Sequence, residues 1–231
     1  PPSYLADTEE DSLVWREGFV RTFLQRDIPQ LGINIPSTTL RRLWTMLAHS
    51  HGQLLNSSQL AKSMGMNDKT IRSYIDILTA TYMVRPVQPW HANLKKRQVK
   101  SPKIYISDTG LLHHLLGLRD MEDLLGHPQL GASWESFVLE QLLRTNPSIV
   151  PYFWSTYSGA ELDFFATHRG KNIGVEFKFT ETPKTTRSQQ VALEDLKLDK
   201  IYVVYPGTER YPLHKSIEAC PLPDLIADLL N

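Results

Sequence analysis

The sequence predicts a chain of two parts, a winged helix-turn-helix followed by a mixed α/β domain. Three observations carry that prediction. "NSSQLAKSMGMNDKTIRSYIDIL" reads as two helices across a short glycine turn, and the β-like runs "MVRPVQPW" and "KIYISD" follow it. Further on, "GASWESFVLEQLLRT", "IVPYFWS", "AELDFFATH", "KNIGVEFKF", "TTRSQQVALEDLKL" and "DKIYVVYP" give a helix, three strands, a helix and a strand. Charge separates the parts as well. Residues 41–100 hold ten Lys or Arg against only Asp68 and Asp76, inside a chain whose formal net charge is zero.

Taken in order, "PPSYLADTEEDS" is polar and irregular. "LVWREGFVRTFLQRDI" places Val14, Phe19, Phe23 and Leu24 near helical spacing, with Ser12 as the expected N-cap and Pro29 and Pro36 as the stop. "TTLRRLWTMLAHSHG" puts Leu40, Leu43, Trp44 and Leu47 on one stripe and Gly52 at its C-terminal end. A helix over about 58–64 breaks at Gly65. A second, over about 68–81, takes Asn67 or Asp68 as cap and buries Ile71, Tyr74, Ile75 and Leu78. The two strands after it are the wing, joined by the long basic loop "HANLKKRQVKSP". "TGLLHHLLGLRDMEDLLG" is a helical connector. The helix from Gly131 turns Trp134, Phe137, Val138 and Leu142 to one side. The predicted divisions are 1–39, an N-terminal helical segment; 40–120, the winged helix; and 121–231, the α/β domain.

Composition bounds the function. At 231 residues and 41% hydrophobic, the chain has the length for one large or two small cores. No apolar run approaches the ~18 residues of a membrane span, and no secretory leader is visible, so a cytoplasmic protein without membrane contact is expected. The single Cys220 excludes a disulfide framework and a cysteine-based zinc site. The chain opens on Pro1, as a fragment of something longer would. "HSH" at 49–51 and "HH" at 113–114 have no companions at zinc spacing, and Ser158-Gly159 lacks a nucleophile elbow. The basic segment points to an anionic partner, DNA above all. Its expected contacts are Lys69, Thr70 and Arg72 at the start of the second helix, with Lys95, Lys96, Arg97 and Lys100 in the loop.

The chemistry concentrates in "GAELDFFATHRGKNIGVEFKFT", residues 159–180. With side chains alternating along a strand, Leu162 and Phe164 face one way and Glu161 and Asp163 the other. In the next run Ile173, Val175, Phe177 and Phe179 oppose Gly174, Glu176 and Lys178, with Gly170 in the turn between. Carboxylates gathered this way suit a hard divalent cation, which polarises a phosphoryl group and lowers the pKa of bound water. Asp163 and Glu176 are the expected metal ligands, Lys178 the point charge for the transition state, and Glu135 a fourth group arriving from the preceding helix. The plainer alternative is a solvated sheet face whose Glu and Lys simply pair.

A helix with a glutamate, a strand with an aspartate, a strand with Glu-x-Lys and a further helix resemble the PD-(D/E)XK, or restriction-endonuclease-like, nucleases. Asp163 matches that motif's aspartate and "EFK" at 176–178 its second half, although Leu162 stands where proline is usual. Gln189 or Gln190 stands where some members carry a glutamine. More broadly, "FLQRDI", "KSPKIYISDTGLLHHLLG", "WESFVLEQLL" and "YSGAELDFF…GVEFK" resemble the C-terminal region of a prokaryotic group of AAA-superfamily ATPases. The resemblance implies a preceding ATPase core in the same chain and ATP bound only there, since these residues hold no G-x-x-x-x-G-K-[ST] loop. It also implies DNA binding by the winged helix and cleavage of nucleic acid with Mg2+ or Mn2+, with catalytic groups Glu135, Asp163, Glu176 and Lys178. The alternative is a catalytically inactive nuclease-like module that binds DNA or protein and regulates the ATPase. A homo-oligomer is compatible with either reading.

Overall fold

The structure, a computed structural model, describes residues 2–91 and 99–230. The chain divides into two compact units: Pro1–Pro86 with Ile104–Ser133, and Val87–Lys103 with Trp134–Asn231. The fold is mixed α/β.

In the first unit, α1 (Glu9–Thr22) begins one turn before the sequence suggests. Thr8, not Ser12, is the cap, its hydroxyl accepting the Asp11 N–H at 3.1 Å. Glu9, Glu10 and Asp11 then lie in the first turn, where the helix dipole favours negative charge. The helix also runs past its expected end. A π-helical turn over Phe23–Asp27, in which the Ile28 N–H reaches the Phe23 carbonyl five residues back, leads into α2 (Ile28–Gln30). Pro29 is accommodated there, and Gly32 at φ +77° ends the run.

The remaining helices of this unit follow the predicted pattern closely. α3 (Ser37–His49) buries Leu40, Leu43, Trp44 and Leu47. α4 (Ser57–Met64) is capped by Asn56 and stops at Gly65, whose φ of +67° a side chain would disfavour. α5 (Asp68–Ala80) is capped by Asn67, which accepts the Thr70 N–H at 2.8 Å. Ile71, Ile75 and Leu78 of α5 are buried, and Tyr74 is half-buried. β1 (Gln53–Leu54), β3 (Lys103–Ile106) and β2 (Val84–Pro89) lie side by side in that order. α6 (Thr109–Leu116) and α7 (Met121–Leu125) complete the unit. One apolar core joins Phe23, Trp44, Leu47, Ile71, Leu78, Ile106 and Leu112.

The second unit takes most of α8 (Leu130–Thr145), whose buried side carries Val138, Leu139 and Leu142. Phe137, expected on that side, is 40% exposed. Its strands are β4 (Tyr152–Ser155), β5 (Glu161–His168), β6 (Lys171–Phe177), β7 (Lys200–Val204), β8 (Tyr211–His214) and β9 (Ile217–Cys220), with α9 (Arg187–Asp195) and α10 (Leu222–Leu230) as its other helices. The order runs from the end of β2 through β4, β5, β6, β7 and β9 to β8. β5 and β6 are antiparallel, whereas β6, β7 and β9 run parallel. Arg169 and Gly170, at φ 50° and 77°, turn β5 into β6 between the paired His168 and Lys171. Two positive φ values in a two-residue loop match the twist of the flanking strands.

Strict alternation fails in β5. Between Tyr152–Phe165 and Trp154–Leu162, two steps on β4 span three on β5, so β5 carries one extra residue. Leu162 therefore joins Phe165, not Phe164, in the apolar cluster with Ala192, Leu196, Ile201 and Val203. A bulge of this kind re-aims the side chain inside it, and here that residue is Asp163 or Phe164. Gly174 has the opposite task. A Cβ there would meet Leu198, Leu162 and Ile201 at 2.9, 3.0 and 3.1 Å.

Candidate functional site

Asp163 and Glu176 come from the neighbouring strands β5 and β6. Asp163 Oδ2 accepts the backbone N–H of Phe177 at 3.1 Å, which spends one carboxylate lone pair on the chain itself. Glu176 is not on an open face: its side chain is 8% exposed. Glu176 Oε1 pairs with Lys178 Nζ at 2.7 Å, while its Oε2 is buried with no partner among the described residues. Burial, and then the nearby Asp163 charge, push the Glu176 carboxyl up to about 8 against the pull of Lys178. At neutral pH it is held largely protonated. Burial would lower the Lys178 ammonium, but Glu176, Asp163 and Glu135 together outweigh it and the net shift is upward.

The cation at the centre is one that the sequence pattern does not single out. Lys103, the first residue of β3, is 8% exposed in its side chain, and its Nζ lies 2.6 Å from Glu161 Oε1, 3.4 Å from Glu135 Oε1 and 3.5 Å from Asp163 Oδ1. The Phe153 ring lies beneath it, 5.5 Å from Nζ to centroid. Burial alone would depress this ammonium; Glu135, Asp163 and Glu161 together more than reverse that and hold it charged. One signal is available in the sequence. Lys103 opens the short strand "KIYI", whose other residues are all apolar, yet it reads as the tail of the basic loop.

Two of the predicted catalytic groups, Glu135 and Asp163, thus meet Lys103 together with Glu161, while the other two, Glu176 and Lys178, pair with each other. Glu135, Glu161 and Asp163 offer hard oxygens of the sort magnesium or manganese takes. Their distances to Nζ are those of ammonium–carboxylate pairs, longer than the ~2.0–2.2 Å that such an ion needs. Among the described residues no three His, Cys, Asp or Glu side chains are disposed to hold a metal ion. The arrangement therefore does not fit a divalent ion while Lys103 is in place. Gln189 is fully buried and serves the start of α9, its side-chain oxygen accepting the Thr186 N–H at 2.9 Å.

The expected nucleic-acid contacts are placed unevenly. Lys69 is exposed near the start of α5. Thr70 gives its hydroxyl to Asn67, and Arg72 pairs with Asp68 at 2.7 Å. Such an exposed i,i+4 pair is worth only about 0.3–0.5 kcal/mol, so a phosphate can compete for Arg72. Lys100 is exposed; Lys95, Lys96 and Arg97 lie outside the described residues. His113 and His114, read as core or helix-surface residues, are held by Ser133 and Glu17. No helix among the described residues is long and apolar enough to cross a membrane.

Two mycobacterial proteins are similar to this chain, each 50% identical over 229 residues: "Uncharacterized protein Mb2031c" of Mycobacterium bovis and "Uncharacterized protein Rv2008c" of Mycobacterium tuberculosis. The match covers 98% of this chain and 51% of each relative, so the chain spans about half the length of the curated relatives it matches. No solved structure matches. The family model "Domain of unknown function (DUF4143)" matches residues 130–225, which include the whole of the carboxylate-bearing α8, β5 and β6. Residues 1–122, with the helix-turn-helix and its ribbon, match the model "Domain of unknown function (DUF8612)", and the chain belongs to that DUF8612 family.

Proposed function

We propose that the chain is the C-terminal module of an AAA-type ATP-binding protein, engaging DNA through its winged helix. Its nuclease-shaped domain is silent in phosphodiester cleavage and serves to regulate the ATPase. The observation that carries the silent reading is Lys103, whose buried ammonium faces three of the carboxylates that a metal would need. Withdrawing it would leave a charge without a partner in a poorly solvated place, a change that costs several kcal/mol. The DNA reading is supported by α4, the Gly65 turn, α5 and the β2–β3 ribbon, together with the +8 balance of residues 41–100. The ATPase itself belongs to the whole protein; the resemblance of the sequence supports it, and the relatives are about twice as long as this chain.

One observation favours the rival, metal-dependent cleavage with Mg2+ or Mn2+ at Asp163 and Glu176. Glu176 Oε2 is buried, without a partner among the described residues, and within the electrostatic reach of Asp163. A paired assay separates the two: fluorescence anisotropy with a labelled duplex, and plasmid nicking under the same Mg2+ or Mn2+ concentrations. The proposal expects salt-dependent duplex binding and no nicking beyond that of Asp163→Ala. Nicking that vanishes in Asp163→Ala would establish the rival, and duplex binding indifferent to salt would remove the DNA assignment.

A further inference from the structure

We infer that the end of the sheet where β6, β7 and β9 begin is a phosphate-binding surface, giving the chain a contact with the DNA backbone separate from its winged helix. The inference rests on the reading of the chain as a DNA-binding module, but on none of its helix-turn-helix residues. The three strands run parallel, so the turns that precede them meet at one end of the sheet. Lys171 opens β6, Lys197 stands in the turn before β7 and Lys215 in the turn before β9, and all three are exposed. Hydrogen bonds stitch these turns together. The Asn172 side chain donates to the Lys197 carbonyl at 3.4 Å, the Asp199 carboxylate accepts the Asn172 N–H at 2.8 Å, and the Ser216 carbonyl accepts the Ile201 N–H at 2.9 Å. With neighbouring strands about 4.8 Å apart, the lysines spread over about 10 Å. One DNA strand presents about three phosphates along that length, one for each ~3.4 Å of its axis.

Charge and backbone strain single out this end of the sheet. Among the described residues none of the three lysines is in an ion pair, while the nearby Glu218 is held by Lys200 at 2.7 Å and by Arg210. Asp199 is the acid left beside them, and it spends an oxygen on the Asn172 N–H. The described non-glycine residues at positive φ are Tyr82, Arg169 and Lys197, and the two basic ones both lie here, at 50° and 51°. A left-handed turn favours glycine or asparagine, and strain of this kind persists mostly where a side chain is needed for binding. Arg169 also serves the fold, donating to the Leu230 carbonyl at 3.1 Å; the Lys197 ammonium has no such partner among the described residues. The turns that carry the lysines expose no aromatic or large aliphatic side chain of the sort a membrane surface takes. Lysine is also depleted at protein–protein interfaces, so phosphates fit this surface best. It is distinct from the carboxylate site, since Glu176 lies about 17 Å along β6 from Lys171.

The test compares the wild-type chain with a triple variant, Lys171→Ala, Lys197→Asn and Lys215→Ala, in which asparagine suits the left-handed turn. Binding of a labelled duplex is read by fluorescence anisotropy over a range of salt, and binding to phosphatidylserine vesicles by co-sedimentation. The triple variant should melt no lower than wild type and bind the duplex about tenfold or more weakly at low salt, its slope of log affinity against log salt reduced by about 0.9 for each lysine that meets a phosphate. Should the triple variant melt lower, Lys171→Ala with Lys215→Ala carries the test alone, with about two-thirds of that change in slope. Neither protein should sediment with the vesicles. Wild-type affinity and slope in a folded variant would overturn the inference and leave the winged helix as the DNA contact. Vesicle binding that the variant loses, with duplex binding unchanged, would overturn it in favour of a membrane. A wild-type chain that binds no duplex would overturn both the inference and the DNA reading beneath it.

Discussion

The ammonium of Lys103 donates to the carboxylate of Glu161 across 2.6 Å, joining the first residue of β3 to the first residue of β5. The two partners differ in how much they risk. Lys103 is 8% exposed and Glu161 44%. Losing the buried partner is the costly event, because the carboxylates it leaves behind are only partly hydrated. Lys103→Ala should therefore lower unfolding free energy by about 3–5 kcal/mol. Glu161→Gln should cost about 1 kcal/mol or less, since water reaches that carboxylate. Urea denaturation measures both, and equal losses would mean that Lys103 is not the centre of the cluster.

The pH dependence of stability should carry the mark of Glu176. Its carboxyl is raised from 4.5 to about 8 in the folded chain. Between those values the folded state binds the extra proton, so this group makes stability fall as pH rises from about 4.5 to 8, with nothing further lost above. Glu176→Gln, which keeps shape and cannot ionise, should flatten that decline and be the more stable protein at pH 8, by roughly a few kcal/mol at most. Denaturation midpoints across that window would show it; parallel pH profiles for the two proteins would count against a protonated Glu176.

DNA binding should follow the salt dependence of phosphate contacts. Removing one lysine–phosphate pairing should reduce the slope of log affinity against log salt by about 0.9. Lys69→Ala and Lys100→Ala, both at exposed positions, should each do so with little change in stability. Replacing Lys95, Lys96 and Arg97 together should flatten the slope further. An unchanged slope in all of these would remove the winged helix from the DNA account.

Gly65 tests the helix-turn-helix itself. At φ +67°, with open space around an added Cβ, alanine meets only backbone strain. Gly65→Ala should cost about 1–2 kcal/mol by thermal or chemical unfolding. Gly174→Ala, where three apolar side chains crowd the added Cβ at 2.9–3.1 Å, should cost about 1–3 kcal/mol by overpacking. A neutral Gly65→Ala would contradict the left-handed turn.

Much of the fold is legible in the sequence because local signals and burial agree. Asn67, Gly65 and the Ile71–Ile75–Leu78 stripe mark α4 and α5 without help from distant residues. The strands β4 to β7 and helix α9 follow from the change between a period of two and helical spacing. The start of α1 is harder to place because Ser12 and Thr8 are both credible caps, and the choice falls to the acidic first turn after Thr8. The π-turn that carries the helix through Pro29 depends on hydrogen bonds five residues apart, which no residue pattern announces. At the site, Glu135, Asp163, Glu176 and Lys178 are readable because they sit on predicted elements. Lys103 is not, since the contacts that define it reach 32 to 60 residues along the chain and rest on a bulge in β5.

The central claim is that Lys103 stands where a divalent ion would have to bind. A crystal of the wild-type chain soaked in MnCl2, with anomalous data collected, tests it most directly. The account predicts Lys103 Nζ among Glu135, Glu161 and Asp163, with no manganese peak within coordination distance of any of them. A manganese peak at about 2.2 Å from Asp163 and Glu176 oxygens, with Lys103 turned away, would contradict it.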